Sequence, residues 1–425
     1  MKHFNLLPIS IAVGSFLSCT NLYATENNPT PTPKTAEPSV EDPFIDQQQL
    51  MTLTPETKVP EGIIFSGYAR YGAHYAGGDK RFVEVGSSGA AVGRLGNEAN
   101  GGEFQLAKAF ETESGAIWDI VVMLDHWGQD IWNSPGGINI AKAYASVTNV
   151  IPSQPGMYFW GGLDFHQRPQ QNLNDYFWMS HDGQGGGFRN LNLGGTMFDL
   201  SFVGQVDEGN GGKLGNDNGI YAFTSKLHDI NIGIGDLEFY INYGFASKEA
   251  ELEKQNETAW QAAALIKFDW SSQLIIRYSD GGDDSVYDLA GEQQALYTSY
   301  DGIYNVNDPV AIEYLTSYKR LTGQDVDNRD EYSVIVRPMY NWNDIHSTWL
   351  EAGYALEDFH NGDQTEGWKV TLSQNISMGG GPGSRPMIRF YATVGEVDES
   401  HYTKEEPNYS KHDTLSAGVM FESWW

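Results

Sequence analysis

The chain has 425 residues, with 56 acidic and 26 basic side chains and a formal charge of −30. A nucleic-acid binder carries the opposite sign, so this balance argues against that class. Its 48 Gly, 23 Tyr, 12 Trp and 20 Phe, with a mean hydropathy of −0.43, fit a β-barrel of the outer membrane, whose strands are apolar only at alternate positions.

The first 24 residues read as a secretory signal peptide. Met1-Lys2-His3 is a weakly basic start, Leu6 to Leu17 is an apolar run, and Leu22-Tyr23-Ala24 is a cleavage site, so the mature chain begins near Thr25. The run is too short to span a membrane as a helix. Cys19, the single cysteine, leaves with this segment. Residues 25–61 form a tail that starts Asn28-Pro29-Thr30-Pro31-Thr32-Pro33 and continues through Pro38, Pro43, Pro55 and Pro60. It cannot bury enough apolar surface to fold, and an extended periplasmic spacer is expected.

From Ile63 the pattern turns to period two. Ile63, Phe65, Ala69, Tyr71 and Ala73 fall on one side, and Ser66, Tyr68, Arg70 and His74 on the other. Similar segments recur at 104–110, 117–124, 198–205, 220–227, 237–245, 274–278, 333–340, 348–356, 369–374 and 388–394. Between them lie turns rich in Gly, Asn and Asp. Asn341-Trp342-Asn343-Asp344 reads as a tight turn, and Val286 to Asn307 as a long loop. Short turns at one end and long loops at the other are the signature of a membrane barrel. Acidic loops such as Asp280-Gly281-Gly282-Asp283-Asp284 suit a surface of lipopolysaccharide, and can take up Ca²⁺ weakly. No cofactor is expected. The last segment is the clearest: Leu415, Ala417, Val419, Phe421 and Trp425 alternate with Ser416, Gly418, Met420, Glu422 and Trp424. A final strand that ends on an aromatic residue is common among outer-membrane barrels. The ten histidines are scattered, and no Gly-x-Ser-x-Gly motif or His/Cys cluster stands out, so an enzyme is not expected.

Six segments, in order, resemble the maltoporin (sugar-specific porin) family. They are Gly67-Tyr68-Ala69-Arg70, Arg94-Leu95-Gly96-Asn97-Glu98, Gln167-Arg168 with Asp175-Tyr176-Phe177-Trp178, Arg337 to Trp342, Ser384 to Arg389, and Glu422-Ser423-Trp424-Trp425. The resemblance covers 62–425. It implies an all-β, transmembrane antiparallel β-barrel of 18 strands with an inward-folded third loop. It also implies a homotrimer in the outer membrane of a Gram-negative bacterium, and facilitated diffusion of maltodextrin-like or other oligosaccharides. A general diffusion porin of the same fold is the alternative.

A sugar ring offers an apolar face to an aromatic and a rim of hydroxyls to charged groups. The resemblance implies both a line of aromatics and a polar track. Parity turns Tyr68 and Trp424 inward, and leaves Trp425 facing lipid. Trp132 or Trp127 in the second loop is a further path aromatic, while Tyr176 and Phe177 compete for the constriction. Arg70, Arg94, Glu103, Arg168 and Asp175 match the polar track. The departures are Gly383 and Gly101-Gly102 where slide aromatics are expected, Ala262 after Trp260 in place of another, and Met179 where an acid is usual. They weaken the expectation of maltodextrin specificity.

Overall fold

The computed structural model describes residues 61–128, 138–206, 217–323, 328–401 and 408–425. The expected signal peptide, the tail up to residue 60 and Trp132 lie outside the described residues. Twenty strands follow in chain order: β1 (Ile64–Ala76), β2 (Asn100–Glu111), β3 (Ile117–Gly128), β4 (Asn139–Thr148), β5 (Tyr158–Asp164), β6 (Gln170–Gln171), β7 (Tyr176–Phe177), β8 (Gly183–Asn192), β9 (Met197–Val206) and β10 (Asp217–Asn231). The second half comprises β11 (Gly235–Ala246), β12 (Thr258–Phe268), β13 (Ser272–Asp280), β14 (Gln294–Asn307), β15 (Val310–Thr322), β16 (Arg329–Asn341), β17 (His346–Phe359), β18 (Gln364–Ser377), β19 (Met387–His401) and β20 (Asn408–Trp424).

Eighteen of these strands form one antiparallel sheet in which each pairs with the next. It closes where β20 returns to β1, with Tyr68 opposite Trp424 and Tyr71 opposite Phe421. Closure leaves no unpaired edge, which is what allows strands to cross lipid. The remaining two, β6 and β7, make a small separate ladder inside the third loop. No helix occurs among the described residues.

Period-two patterning sets the faces. On β3, Trp118, Ile120, Val122 and Leu124 are exposed, while Ile117, Asp119, Val121 and Met123 are buried. On β18, Trp368, Leu372 and Ile376 face out, while Lys369, Thr371, Ser373 and Asn375 face in. The exposed side is an apolar band for lipid, and the buried side carries the charge. Trp425 stays on the outer side, packed on Phe65 and Phe104.

Two expectations are corrected. The stretch 286–307 is not one loop: the loop ends at residue 293 and β14 begins at Gln294, with Ala295, Tyr297 and Ser299 inward. Its inward residues are too small or too polar to mark a strand by hydrophobicity. Ala262 pairs with Ile241 and Tyr278 on the lipid side, and Trp260 is 45% exposed there, so this position does not belong to the lumen.

The third loop (165–182) folds inward as expected, and so do the first (77–99) and the one between β13 and β14 (281–293). Val83, Val85, Ala91 and Val92 of the first loop bury themselves with Ala355 and Val397 of the wall. Leu95 packs with Ala311, Met339, Trp349 and Met387. Val286, Tyr287 and Leu289 join Tyr144, Trp160, Val203 and Ala222. Each inward loop carries its own apolar residues, which have no other place to be buried.

Candidate functional site

Alternation along β1 and β20 places Tyr68, Arg70, Glu422 and Trp424 on the inner side of the closing seam. Glu422 is the hub. It accepts a hydrogen bond from the Tyr68 hydroxyl at 2.8 Å and pairs with Arg94, with Arg385 at 2.6 Å and with Arg389 at 3.1 Å. Glu98, itself buried, takes the other side of Arg389. A second charged cluster lies across β15 to β18. There Glu351 binds Arg337 at 2.6 Å and Lys369 at 3.0 Å, and Lys369 donates to the carbonyls of Gly93 and Leu95. This cluster fastens the first loop, with Arg94 on it, against the wall at β16 to β18.

The third loop is fastened in the same way. Leu173 packs with Leu315 and Ile335, and its carbonyl accepts from the Arg94 amide. Gln171 bonds Tyr297, Ser299 and Asp301. The first loop touches the third at Gly89, where φ is +65° and a Cβ would meet the Asn174 carbonyl at 2.5 Å. Asp175 sits in the turn with φ +54° and reaches back to Arg70 at 2.7 Å. Burial opposes its ionisation, but Arg70 and Arg94 outweigh that and hold the carboxyl below its ordinary 3.8. The pair therefore adds stability that is complete above that value and is lost as pH falls through the depressed one.

The two competing aromatics separate. Tyr176 is 5% exposed and packs edge-on against Tyr297 in the core under the loop. Phe177 is half-buried, with the Arg168 guanidinium 4.1 Å from its centroid and equally close to that of Phe165. Arg168 pairs with Asp182 at 3.2 Å. Glu103 is buried, faces Asp125 across β2 and β3, and has Arg168 and Lys142 as its nearest cations.

Two tryptophans complete the inner surface. Trp127 lies at the end of β3, not in a free loop, and stacks on Tyr68 at 6.1 Å between centroids. Its ring fills the space beside Gly101, where an added Cβ would meet Cε3 at 2.2 Å. An aromatic is thus present beside Gly101 but comes from the neighbouring strand. Trp349 of β17, unassigned from the sequence, is 1% exposed and has Arg337, Arg385 and Arg389 around it at 5.5–5.8 Å. Its parity with Glu351, opposite exposed Leu350, was the available signal. Arg385, Arg389, Glu98, Glu351 and Glu422 were likewise missed as parts of the site. Met179 is fully buried beside Asn242.

Of the acidic loop, Asp283 is engaged by Arg277 at 2.6 Å and Lys319 at 2.5 Å. Among the described residues no group of three or more His, Cys, Asp or Glu is arranged to hold a metal ion.

The family model described as LamB porin matches residues 63–425. A maltoporin of Vibrio cholerae serotype O1 is 26% identical over 414 residues, covering 85% of this chain and 94% of that protein. Among solved structures, the Pseudomonas aeruginosa channel OccK3 (OpdO) aligns with a TM-score of 0.48 at 12% identity, over 91% of this chain and 99% of that one. An anion-selective porin from Comamonas acidovorans aligns with a TM-score of 0.45 at 11% identity, over 85% and 99%. With a family match over the whole barrel and a closed eighteen-stranded fold, the chain belongs to the LamB porin family of outer-membrane channels.

Proposed function

We propose that the channel conducts oligosaccharides by facilitated diffusion, and that it works as a homotrimer. The observation that carries this reading is the inner surface at the closing seam. Tyr68, Trp127 and Trp424 present rings beside paired acids and bases, namely Arg70 with Asp175 and Glu422 with Arg94 and Arg385. Rings stack on sugar faces, and the charged groups bond to the hydroxyl rim. Phe177 and Arg168 form the neck from the third loop. The maltoporin relative and the ordered resemblance to sugar-specific porins point the same way. Because the rings are few, affinity should be weak, about millimolar, or about 4 kcal/mol of binding. Weak successive sites suit a channel, which must release what it admits.

The decisive experiment is sugar block of ion current through reconstituted trimers, across a panel of linear oligosaccharides of increasing length. Concentration-dependent block that tightens with length is expected. Current indifferent to every sugar would instead identify a general diffusion porin.

The excess of acid should make the pore prefer cations, more strongly at low salt. Burial pushes the Asp182 carboxyl up to about 6 against the pull of Arg168. It is charged above that value and neutral below it. Cation preference should therefore shrink between about pH 7.5 and about pH 5, read from reversal potentials in a salt gradient. A flat profile, or anion preference at neutral pH, contradicts this.

A further inference from the structure

Four arginines share one arrangement, each with two aromatic rings beside its guanidinium and one carboxylate as partner. Arg189 has it in the core, beside Tyr158, Trp160 and Asp164, and three others have it at the rings of the sugar path. Arg70 lies 5.1 Å from Trp127 and 6.0 Å from Tyr68 and pairs with Asp175. Arg168 lies 4.1 Å from Phe165 and from Phe177 and pairs with Asp182. Arg385 lies 4.4 Å from Trp424 and 5.8 Å from Trp349 and pairs with Glu422. The rings proposed as sugar-stacking surfaces thus already have guanidinium groups against them.

We infer that these three arginines are place-holders: in the empty channel each occupies an aromatic subsite, and a sugar ring enters by displacing the guanidinium while its carboxylate keeps hold of it. This rests on the sugar-channel reading above. A guanidinium is planar and weakly hydrated, so it fits a flat slot between rings that a pyranose would otherwise fill. Its partner carboxylate gives it a charged contact to retain when it moves aside, so displacement does not strand a buried charge.

A second observation supports the inference at Arg385. The indole N–H of Trp349, one of the two rings beside Arg385, is buried and makes no hydrogen bond, so a donor that a sugar hydroxyl can satisfy is left unused on that ring. Gly383, two residues from Arg385, has nothing within 4 Å of where its Cβ would lie, so the turn leaves space on that side. Together these make the subsites self-capped rather than absent. The specificity that follows is for neutral oligosaccharides that compete with an arginine, bound weakly and released readily.

Arg168, with a 24% exposed side chain, is the place to test it. Sugar block by a neutral linear oligosaccharide series is measured on wild type, Arg168→Ala and Arg168→Lys trimers, each checked for heat-modifiable migration. If the arginine is a place-holder, Arg168→Ala tightens block about five- to tenfold, the value of a partly desolvated cation–π contact. Arg168→Lys, which keeps the charge but cannot fill a planar slot, should fall between and covers the case in which the alanine variant does not assemble. Block that is weaker or unchanged in the variants, with wild type still blocked, overturns the place-holder and leaves the sugar channel standing. Block absent from wild type but present in Arg168→Ala supports it. Block absent from all three, with ion current intact, overturns both.

Discussion

Glu422→Gln should cost about 3–5 kcal/mol of barrel stability, seen as a lower temperature for the heat-induced shift in gel migration. The carboxylate is 1% exposed and answers Arg94, Arg385, Arg389 and the Tyr68 hydroxyl together. Glutamine fills the same volume but leaves three guanidinium groups facing each other, with Glu98 and Asp175 as the remaining acids near them. The same substitution removes negative charge from the lumen, so reversal potentials should move toward anions. Alanine should do worse, since it also opens a hole under Tyr68. If Glu422→Gln melts with the wild type, the buried arginines must be neutralised by something other than this carboxylate.

Much of the barrel is written plainly in the chain, because a membrane strand needs an apolar residue at every second position. Strands β3, β16, β18, β19 and β20 alternate cleanly and read as strands from residue type alone. Strand β8 does not. Its sequence Gly-Gln-Gly-Gly-Gly-Phe-Arg has almost no side chains to alternate, and only its pairing with β5 and β9 defines it. At the seam, parity alone turned Tyr68, Arg70, Glu422 and Trp424 inward. It could not choose between Tyr176 and Phe177, which follow one another in a two-residue strand within an irregular loop. It also gave no hint that Trp127 would fill the space of Gly101, since cross-strand register decides that. The inward first loop and the loop between β13 and β14 were missed for the same reason: apolar residues such as Val83, Val92 and Val286 are too sparse to form a periodic signal, and only the wall they pack against explains them.

Loss of the Tyr68–Trp127 stack should weaken sugar block while leaving ion current nearly intact. Trp127→Ala removes a ring that faces the lumen at the end of β3, and the Arg70 guanidinium 5.1 Å from that ring loses its contact. Each stacked ring is worth about 0.5–1.5 kcal/mol, so block should weaken by about two- to tenfold. Tyr68→Phe keeps its ring and gives up the hydroxyl's bond to Glu422 and the one it accepts from Arg70, so it should change block less than Tyr68→Ala. Cross-strand register supplies a sharper form of the test. Gly101 pairs with Trp127, and a Cβ at 101 would meet the indole at 2.2 Å and the His126 carbonyl at 2.6 Å, so once the indole is gone a small backbone shift at His126 is what remains to be made. Gly101→Tyr alone should therefore fold poorly, whereas Gly101→Tyr with Trp127→Ala should fold and recover block, because the ring returns to the same part of the lumen from the neighbouring strand. Recovery in the double variant but in neither single one would establish that the channel needs an aromatic at that place rather than a tryptophan at 127. A well-folded double variant that still conducts ions and is still poorly blocked would show that Trp127 contributes through Arg70, not as a surface for sugar.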